Sequence, residues 1–340
     1  MRNTKIAVTL GPQCWLPTIV FAMIQAGADI FRFNYSHPQT PEDYNRLLRL
    51  MLSIPQMAVE AERKVETFVD CPGRKFRIVL DVPEFGLQHG QETWIVSSPL
   101  NGYPVCPHPR YLELAQEGKK LYIADGSPVL EVLENRKGNL RCRVIEGKSI
   151  EPGKGITLEG VHIANLGLHP VTEKDLIAIQ AAIDGNADFL GMSYGATAAE
   201  CDTFQATCEQ RGATKPKKVF KLELVEAVKD ADALAQRNAA IYFGKGDFGL
   251  STAPEEVPHH SQVVAAACHK YGTEYWPGTE TCLSMKYGNT RPTHGEIAGI
   301  YRLLDEGADC IVLSDETAKS PYAVQTVQAL DRILCAAERG

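Results

Sequence analysis

The 340-residue chain predicts an α/β fold: a (β/α)8 TIM barrel with an inserted small all-β lid domain. Three observations predict it. Short apolar runs alternate with stretches of helical periodicity over most of the chain, as in parallel β-α-β units. From about residue 88 to 160 that rhythm gives way to short strand-like runs broken by turns. Polar residues gather at the C-terminal ends of the apolar runs, where barrel enzymes carry their chemistry. The division is residues 1–87 for the first part of the barrel, 88–160 for the lid and 161–340 for the second part.

The elements follow in order. Residues 5–10 form an apolar strand stopped by Gly11-Pro12, a turn signal. Residues 16–26 are helical and stop at Gly27. In the next strand, 29–37, alternation puts Arg32, Asn34 and Ser36 on one face and Phe31, Phe33 and Tyr35 on the other. A buried parallel strand gives such a polar face a task. Arginine offers a fixed fork for phosphate or carboxylate, and Asn and Ser oxygens suit a monovalent cation or a hydroxyl. Residues 41–53 form an amphipathic helix with Pro55 just past its end. Residues 75–80 read as the third strand, ending at the carboxylate of Asp81.

The lid runs are 92–96, 120–123, 129–132 and 140–144, punctuated by Asp125-Gly126, Lys137-Gly138-Asn139 and Pro152-Gly153. After Gly160 the barrel rhythm returns. Thr172 caps a helix over 173–184. A strand at 189–193 ends in Ser193, and a helix covers 198–211. The strand at 219–224 carries Lys221 and Glu223 on one face, with Phe220 and Leu222 opposite. A Lys beside a Glu on a buried strand is costly to desolvate. Either the two form a strand-end ion pair, or Glu223 ligates a divalent cation and Lys221 meets an anion. After the helix 226–237, strand 240–243 runs into Gly244-Lys245-Gly246-Asp247, whose glycines let the backbone bring Asp247 forward. Glu223 plus Asp247 suits Mg²⁺, which takes one or two carboxylates and fills its octahedron with water or substrate oxygens. A helix at 259–271, a strand at 273–276 before Gly278-Thr279, a helix at 293–306, a strand at 310–313 before Ser314 and a helix at 322–339 complete the units.

Composition bounds the function. A net charge of -7 gives no electrostatic case for nucleic acid. No run approaches 18 apolar residues, so no membrane span is expected, and no signal peptide is evident. The ten cysteines are scattered without a C-x-x-C pair and read as buried thiols of a cytoplasmic protein.

Together these residues resemble the pyruvate kinase family. Thr9-Leu10-Gly11-Pro12 is similar to its TLGP, and Arg32-Phe33-Asn34-Tyr35-Ser36-His37 to its RxNxSH. Asp125-Gly126 resembles the end of its lid DDG. Lys221-Leu222-Glu223 resembles KIE, and Gly246-Asp247-Phe248-Gly249 resembles GDLG. Arg291-Pro292-Thr293 matches RPT, and Ser314-Asp315-Glu316-Thr317-Ala318 resembles SGETA.

The resemblance implies Mg-dependent phosphoryl transfer between phosphoenolpyruvate and ADP through enolpyruvate. It puts Lys221 on the enolate oxygen and transferring phosphoryl group, Arg32 on phosphate, and Glu223 and Asp247 on Mg²⁺ (or Mn²⁺). Asn34, Ser36 and Asp81 would form a K⁺ site. Thr279 would lie near the methylene carbon, with Ser314 and Glu316 relaying its proton. Pro12, His37, Asp125 and Lys154 would face the ADP or ATP nucleotide.

Departures from the family qualify this. Set against the family stretch DTKGPEIR, residues 81–88 put Gln88 in place of a phosphate-binding Arg. Ala124 stands for the lid's first Asp, Ala196 for a further Arg, and Lys245 for the Arg before Gly-Asp. No C-terminal regulatory domain follows the last helix, so effector control through one is not expected. The loss at Gln88 motivates an alternative, ranked second to the kinase: a 2-oxo acid lyase, decarboxylase or tautomerase using the same enolate site on pyruvate or a related acid, without nucleotide. A non-catalytic binding protein on the same fold is the third reading. Contacts between barrels leave a homo-oligomer open.

Overall fold

The computed structural model describes residues 2–38, 40–124, 126–278 and 280–339. Eight parallel strands close into a barrel: β1 (Lys5–Leu10), β2 (Ile30–Asn34), β3 (Glu66–Asp70), β4 (Phe189–Met192), β5 (Lys217–Leu222), β6 (Ala240–Gly244), β7 (Glu274–Gly278) and β8 (Cys310–Leu313). β1 closes the barrel by pairing with both β2 and β8, Ala7 lying opposite Ile30 and Val312.

Period-two alternation decides what points inward. Ala7, Phe68, Phe189, Val219, Ala240, Tyr242, Trp276 and Val312 pack together in the interior. Trp276 meets Phe68 and Phe189 edge to face, at 5.8 Å and 5.0 Å between centroids. These aromatics plug the floor of the barrel, so the next inward layer toward the C-terminal end is where a site can open. The opposite strand faces, such as Phe31, Phe33, Phe220 and Leu222, join the outer core beneath the helices.

Helix starts are written locally. Thr40, Thr172 and Thr293 each cap a helix and form a capping box with Asp43, Asp175 and Glu296. One helix departs from expectation: it runs from Pro41 to Glu60 with Pro55 inside it. Leu47, Leu50, Met51, Ile54 and Ala58 form one buried face along its length. That continuous burial outweighs the hydrogen bond Pro55 cannot donate, and Ser53 Oγ donates to the Leu50 carbonyl at 2.7 Å.

The third strand also departs from expectation. It is Glu66–Asp70, not residues 75–80. Phe76 and Ile78 alternate like strand residues, but their apolar face packs into the core of the lid, and Arg77 and Val79 bridge to Gly155 and Val105 of the lid. The lid leaves the barrel after β3 and returns before β4. Its main sheet is antiparallel, in the order 156–158, 120–123, 129–136, 139–146, 92–95. The hairpin at Lys137-Gly138 takes positive φ at both turn residues, 51° and 81°, the two-residue turn whose twist matches the strands.

All ten cysteines are free, nine of them buried. Among the described residues no helix is long and apolar enough to cross a membrane.

Candidate active site

A cleft of about 830 Å³ opens at the C-terminal mouth of the barrel, between the strand ends and lid residues 151–155. Arg32, Asn34, Ser36, His37, Lys154, Lys221, Glu223, Asp247, Ser314 and Glu316 all line it. Pro12 does not; it is exposed in the turn after β1. Asp125 and Thr279 lie outside the described residues.

Asp81 is the clear correction. It sits exposed on the way into the lid and does not line the cleft. The carboxylate at the end of the third strand is Asp70, which is fully buried. Arg32 donates to Asp70 through Nε at 2.8 Å and Nη2 at 2.5 Å. Ser193 Oγ donates to the other Asp70 oxygen at 3.0 Å, and Lys221 Nζ lies 3.4 Å from the oxygen that Arg32 holds. Arg32 also donates to Thr9 Oγ1 at 2.8 Å. Asp70 therefore fixes two cations in the floor of the cleft. Burial works against the Asp70 charge, but Lys221 and Arg32 hold its pKa below the usual carboxylate value.

Lys221 and Glu223 project inward together from β5, as the alternation requires. Lys221 Nζ is 2.8 Å from Glu223 Oε1. The angle is poor, and Glu223 Oε1 makes no hydrogen bond although it is buried; Glu223 Oε2 accepts from the Tyr194 backbone N–H at 3.1 Å. Burial raises the Glu223 carboxyl to about 7, with Lys221 opposing the rise and Asp247 and Asp70 adding to it. Asp247 stands in the first turn of a short helix, Lys245–Ser251, right after β6. Its charge acts on Glu223, and it receives the Lys75 ammonium at 2.6 Å. Burial opposes its charge, yet Lys75 and Lys221 hold its pKa well below the ordinary range.

A buried carboxylate oxygen that accepts no hydrogen bond and has only an ion pair with Lys221, beside a second carboxylate, fits a hard divalent cation. Among the described residues no group of three or more His, Cys, Asp or Glu could hold a metal ion by itself. Two carboxylates are within what Mg²⁺ takes from a protein, water or substrate oxygens supplying the rest. The expected K⁺ set fits less well. Of its three members only Asn34 and Ser36 face the cleft. Asn34 Oδ1 already accepts from the Ser36 N–H at 3.0 Å, and Asp70 is held by Arg32, Lys221 and Ser193.

On the far wall, Glu316 is fully buried and held by backbone donors: Thr281 N at 2.9 Å and Ser314 N at 2.8 Å. Ser314 Oγ and Tyr242 Oη are 3.3 Å apart. Burial, with Arg32 and Lys319, lowers the His37 pKa to about 4, so its ring is neutral at pH 7.

Several residues in or beneath the cleft were hidden in the sequence: Lys75, Arg77, Tyr194 and Tyr242 line it, and Asp70 lies buried under Arg32. A signal existed for two of them. The family stretch DTKGPEIR fits residues 70–77, with Asp70, Gly73 and Arg77 at its Asp, Gly and Arg, and does not fit 81–88. Gln88 is exposed in the lid. The family arginine is Arg77, which lines the cleft and donates to the Gly153 carbonyl at 2.8 Å.

A lidded (β/α)8 barrel, with a lysine and two carboxylates at its mouth, is the class of protein that fold and site define. A family model described as the pyruvate kinase barrel domain matches residues 1–327. The chain belongs to the pyruvate kinase family. It is 29% identical over 345 residues to the pyruvate kinase of Sporosarcina psychrophila, covering 99% of this chain and 57% of that one. It is 27% identical over 340 residues to pyruvate kinase 2 of Synechocystis sp., covering 98% of this chain and 56% of that one. A crystal structure of a pyruvate kinase from Cryptosporidium parvum superposes with a TM-score of 0.86 at 25% identity, over 99% of this chain and 70% of that one. The chain thus spans little more than half the length of the first two relatives.

Proposed function

We infer that this protein transfers a phosphoryl group between phosphoenolpyruvate and ADP, using Mg²⁺ held by Glu223 and Asp247. One observation carries the reading: the buried Glu223 Oε1 without a hydrogen bond, flanked by Asp247 and the Lys221 ammonium. A magnesium ion there supplies Lewis-acid charge for enolate and phosphoryl oxygens.

The chain's own residues do the rest. Lys221 stays charged, because Asp70 and Glu223 outweigh the cost of burial. Its ammonium meets the enolate oxygen and the moving phosphoryl group, where negative charge builds up. Asp70 holds Lys221 and Arg32 in fixed positions, so little reorganisation is needed in the transition state. Arg77 and Lys154 bring further positive charge to the lid side of the cleft, which supports the nucleotide lying on that side. The neutral ring of His37 adds no charge there. The free thiols fit a reducing cytoplasmic setting.

The lyase reading rested on the missing arginine at Gln88. Arg77 supplies that arginine, so nothing in the cleft favours the lyase over the kinase. The test is stoichiometry. Given phosphoenolpyruvate, ADP and Mg²⁺, the protein forms pyruvate and ATP one to one, and neither appears without the metal. Pyruvate without ATP contradicts the kinase reading.

A further inference from the structure

Tyr242 is an unusual presence in the cleft. It sits on β6 in an apolar run, Ala240-Ile241-Tyr242-Phe243, yet it points into the barrel and is 1% exposed. Its ring lies under two cations, 5.6 Å from Lys221 Nζ and 5.4 Å from the Arg32 guanidinium carbon. Its hydroxyl is 3.3 Å from Ser314 Oγ across the barrel. The neighbouring strand makes room for it: a Cβ at Gly278 would stand 2.7 Å from Tyr242 Cε2, closer than packed atoms sit. So bulk is removed from β7 to seat a phenol on β6, with its polar end on the serine of β8. Packing alone would be served as well by an apolar side chain, which carries no hydroxyl to satisfy.

The geometry points to Tyr242 as the proton source behind Ser314 in the protonation of the enolate carbon. This role rests on the enolate reading above. As the Ser314 Oγ–H bond breaks, a C–H bond forms at the methylene carbon of enolpyruvate. The Tyr242 Oη–H bond breaks at the same time and remakes the Ser314 hydroxyl. The phenolate left behind faces Lys221 and Arg32 and takes a proton back from water in the cleft. No oxidant, reductant or second substrate enters. Tyr242 acts through Ser314, so it is a positioning residue and not one that touches the carbon.

Two reactions of the same protein separate this role from a structural one. ATP formation from phosphoenolpyruvate and ADP needs phosphoryl transfer but no enzymatic protonation of carbon. Exchange of pyruvate methyl protons with deuterium, with Mg²⁺ present, needs the carbon proton step. Tyr242→Phe keeps the ring and both cation contacts and removes only the hydroxyl. Exchange is expected to fall at least fivefold further than ATP formation. Adding Tyr242→Phe to Ser314→Ala is expected to lower exchange no further than Ser314→Ala alone, since the two act as one chain. Exchange that falls less than fivefold further than ATP formation overturns the relay, as does a double variant worse than Ser314→Ala alone. Should Tyr242→Phe fail to fold, judged by its melting temperature, Tyr242→Met is read against the same criterion. Wild-type protein that neither forms ATP nor exchanges protons sinks the enolate reading itself, and the relay with it.

Discussion

Lys75 Nζ lies 2.6 Å from Asp247 Oδ1, so an ammonium of the chain already sits on a carboxylate that a divalent cation would share. Lys75 comes from the segment that enters the lid, and Asp247 from the end of β6. The pair ties the lid's root to the metal corner. It also sets a competition, because Lys75 repels any dication that approaches Asp247. Removing that charge is expected to strengthen Mg²⁺ binding. Lys75→Gln tightens it by about fivefold, on the order of 1 kcal/mol for one like charge at this range. Isothermal calorimetry with Mg²⁺ alone reads the change. Weaker binding in the variant would mean that Lys75 builds the metal corner and does not compete for it.

Glu223 gives a pH signature. Burial raises its carboxyl to about 7. Below that pH it holds a proton in the metal-free protein, and a metal must displace that proton. Mg²⁺ affinity therefore falls as pH drops below 7, and is level above it. At pH 6, calorimetry in two buffers of different ionisation heat should show release of about one proton per Mg²⁺, and at pH 8 close to none. Binding at pH 6 without proton release would place the metal away from Glu223.

Asp70 is the shared counter-ion of two buried cations. Asp70→Asn keeps the shape and removes the charge. Arg32 and Lys221 then stand buried with one partner fewer. The expected loss of stability is about 3–5 kcal/mol, the scale for breaking a buried ionic cluster on one side. Urea unfolding measures it. A loss under about 1 kcal/mol would show that water reaches this floor and screens the charges.

Arg77 and Gln88 separate the two alignments of the family stretch. Arg77→Gln is expected to lower kcat/KM for phosphoenolpyruvate or ADP by about 30- to 1000-fold, the equivalent of about 2–4 kcal/mol of lost charge-assisted contact. Gln88→Ala lies on the exposed lid surface and should leave kcat/KM within twofold. Steady-state kinetics decides; the opposite ranking would restore 81–88 as the phosphate-facing segment.

How far the site could be read from the sequence follows from one rule, that alternate strand residues share a face. Where polar and apolar residues alternate strictly, as in Arg32-Phe33-Asn34 or Lys221-Leu222-Glu223, the inward face is legible, and the structure puts those polar residues in the cleft. The lid was legible because its turns are written in Asp-Gly, Lys-Gly-Asn and Pro-Gly. β3 was not. Glu66–Asp70 is a short run, and the stretch after it, with Phe76 and Ile78, mimics a better strand while its apolar face serves the lid. That one-segment slip moved the carboxylate from Asp70 to Asp81 and hid Arg77. Tyr242 was illegible for another reason. In a run of Ala, Ile, Tyr and Phe no polar contrast tells inward from outward. Only the neighbouring Gly278 shows where the ring goes.

The most direct test of the whole account is the turnover of Lys221→Met. With phosphoenolpyruvate, ADP and saturating Mg²⁺, the wild-type protein forms ATP. Lys221→Met, still folded and still binding Mg²⁺, is predicted to lose at least about a thousandfold in kcat, the scale of removing a preorganised charge from the transition state. A folded Lys221→Met protein that keeps the wild-type rate would contradict the account at its centre.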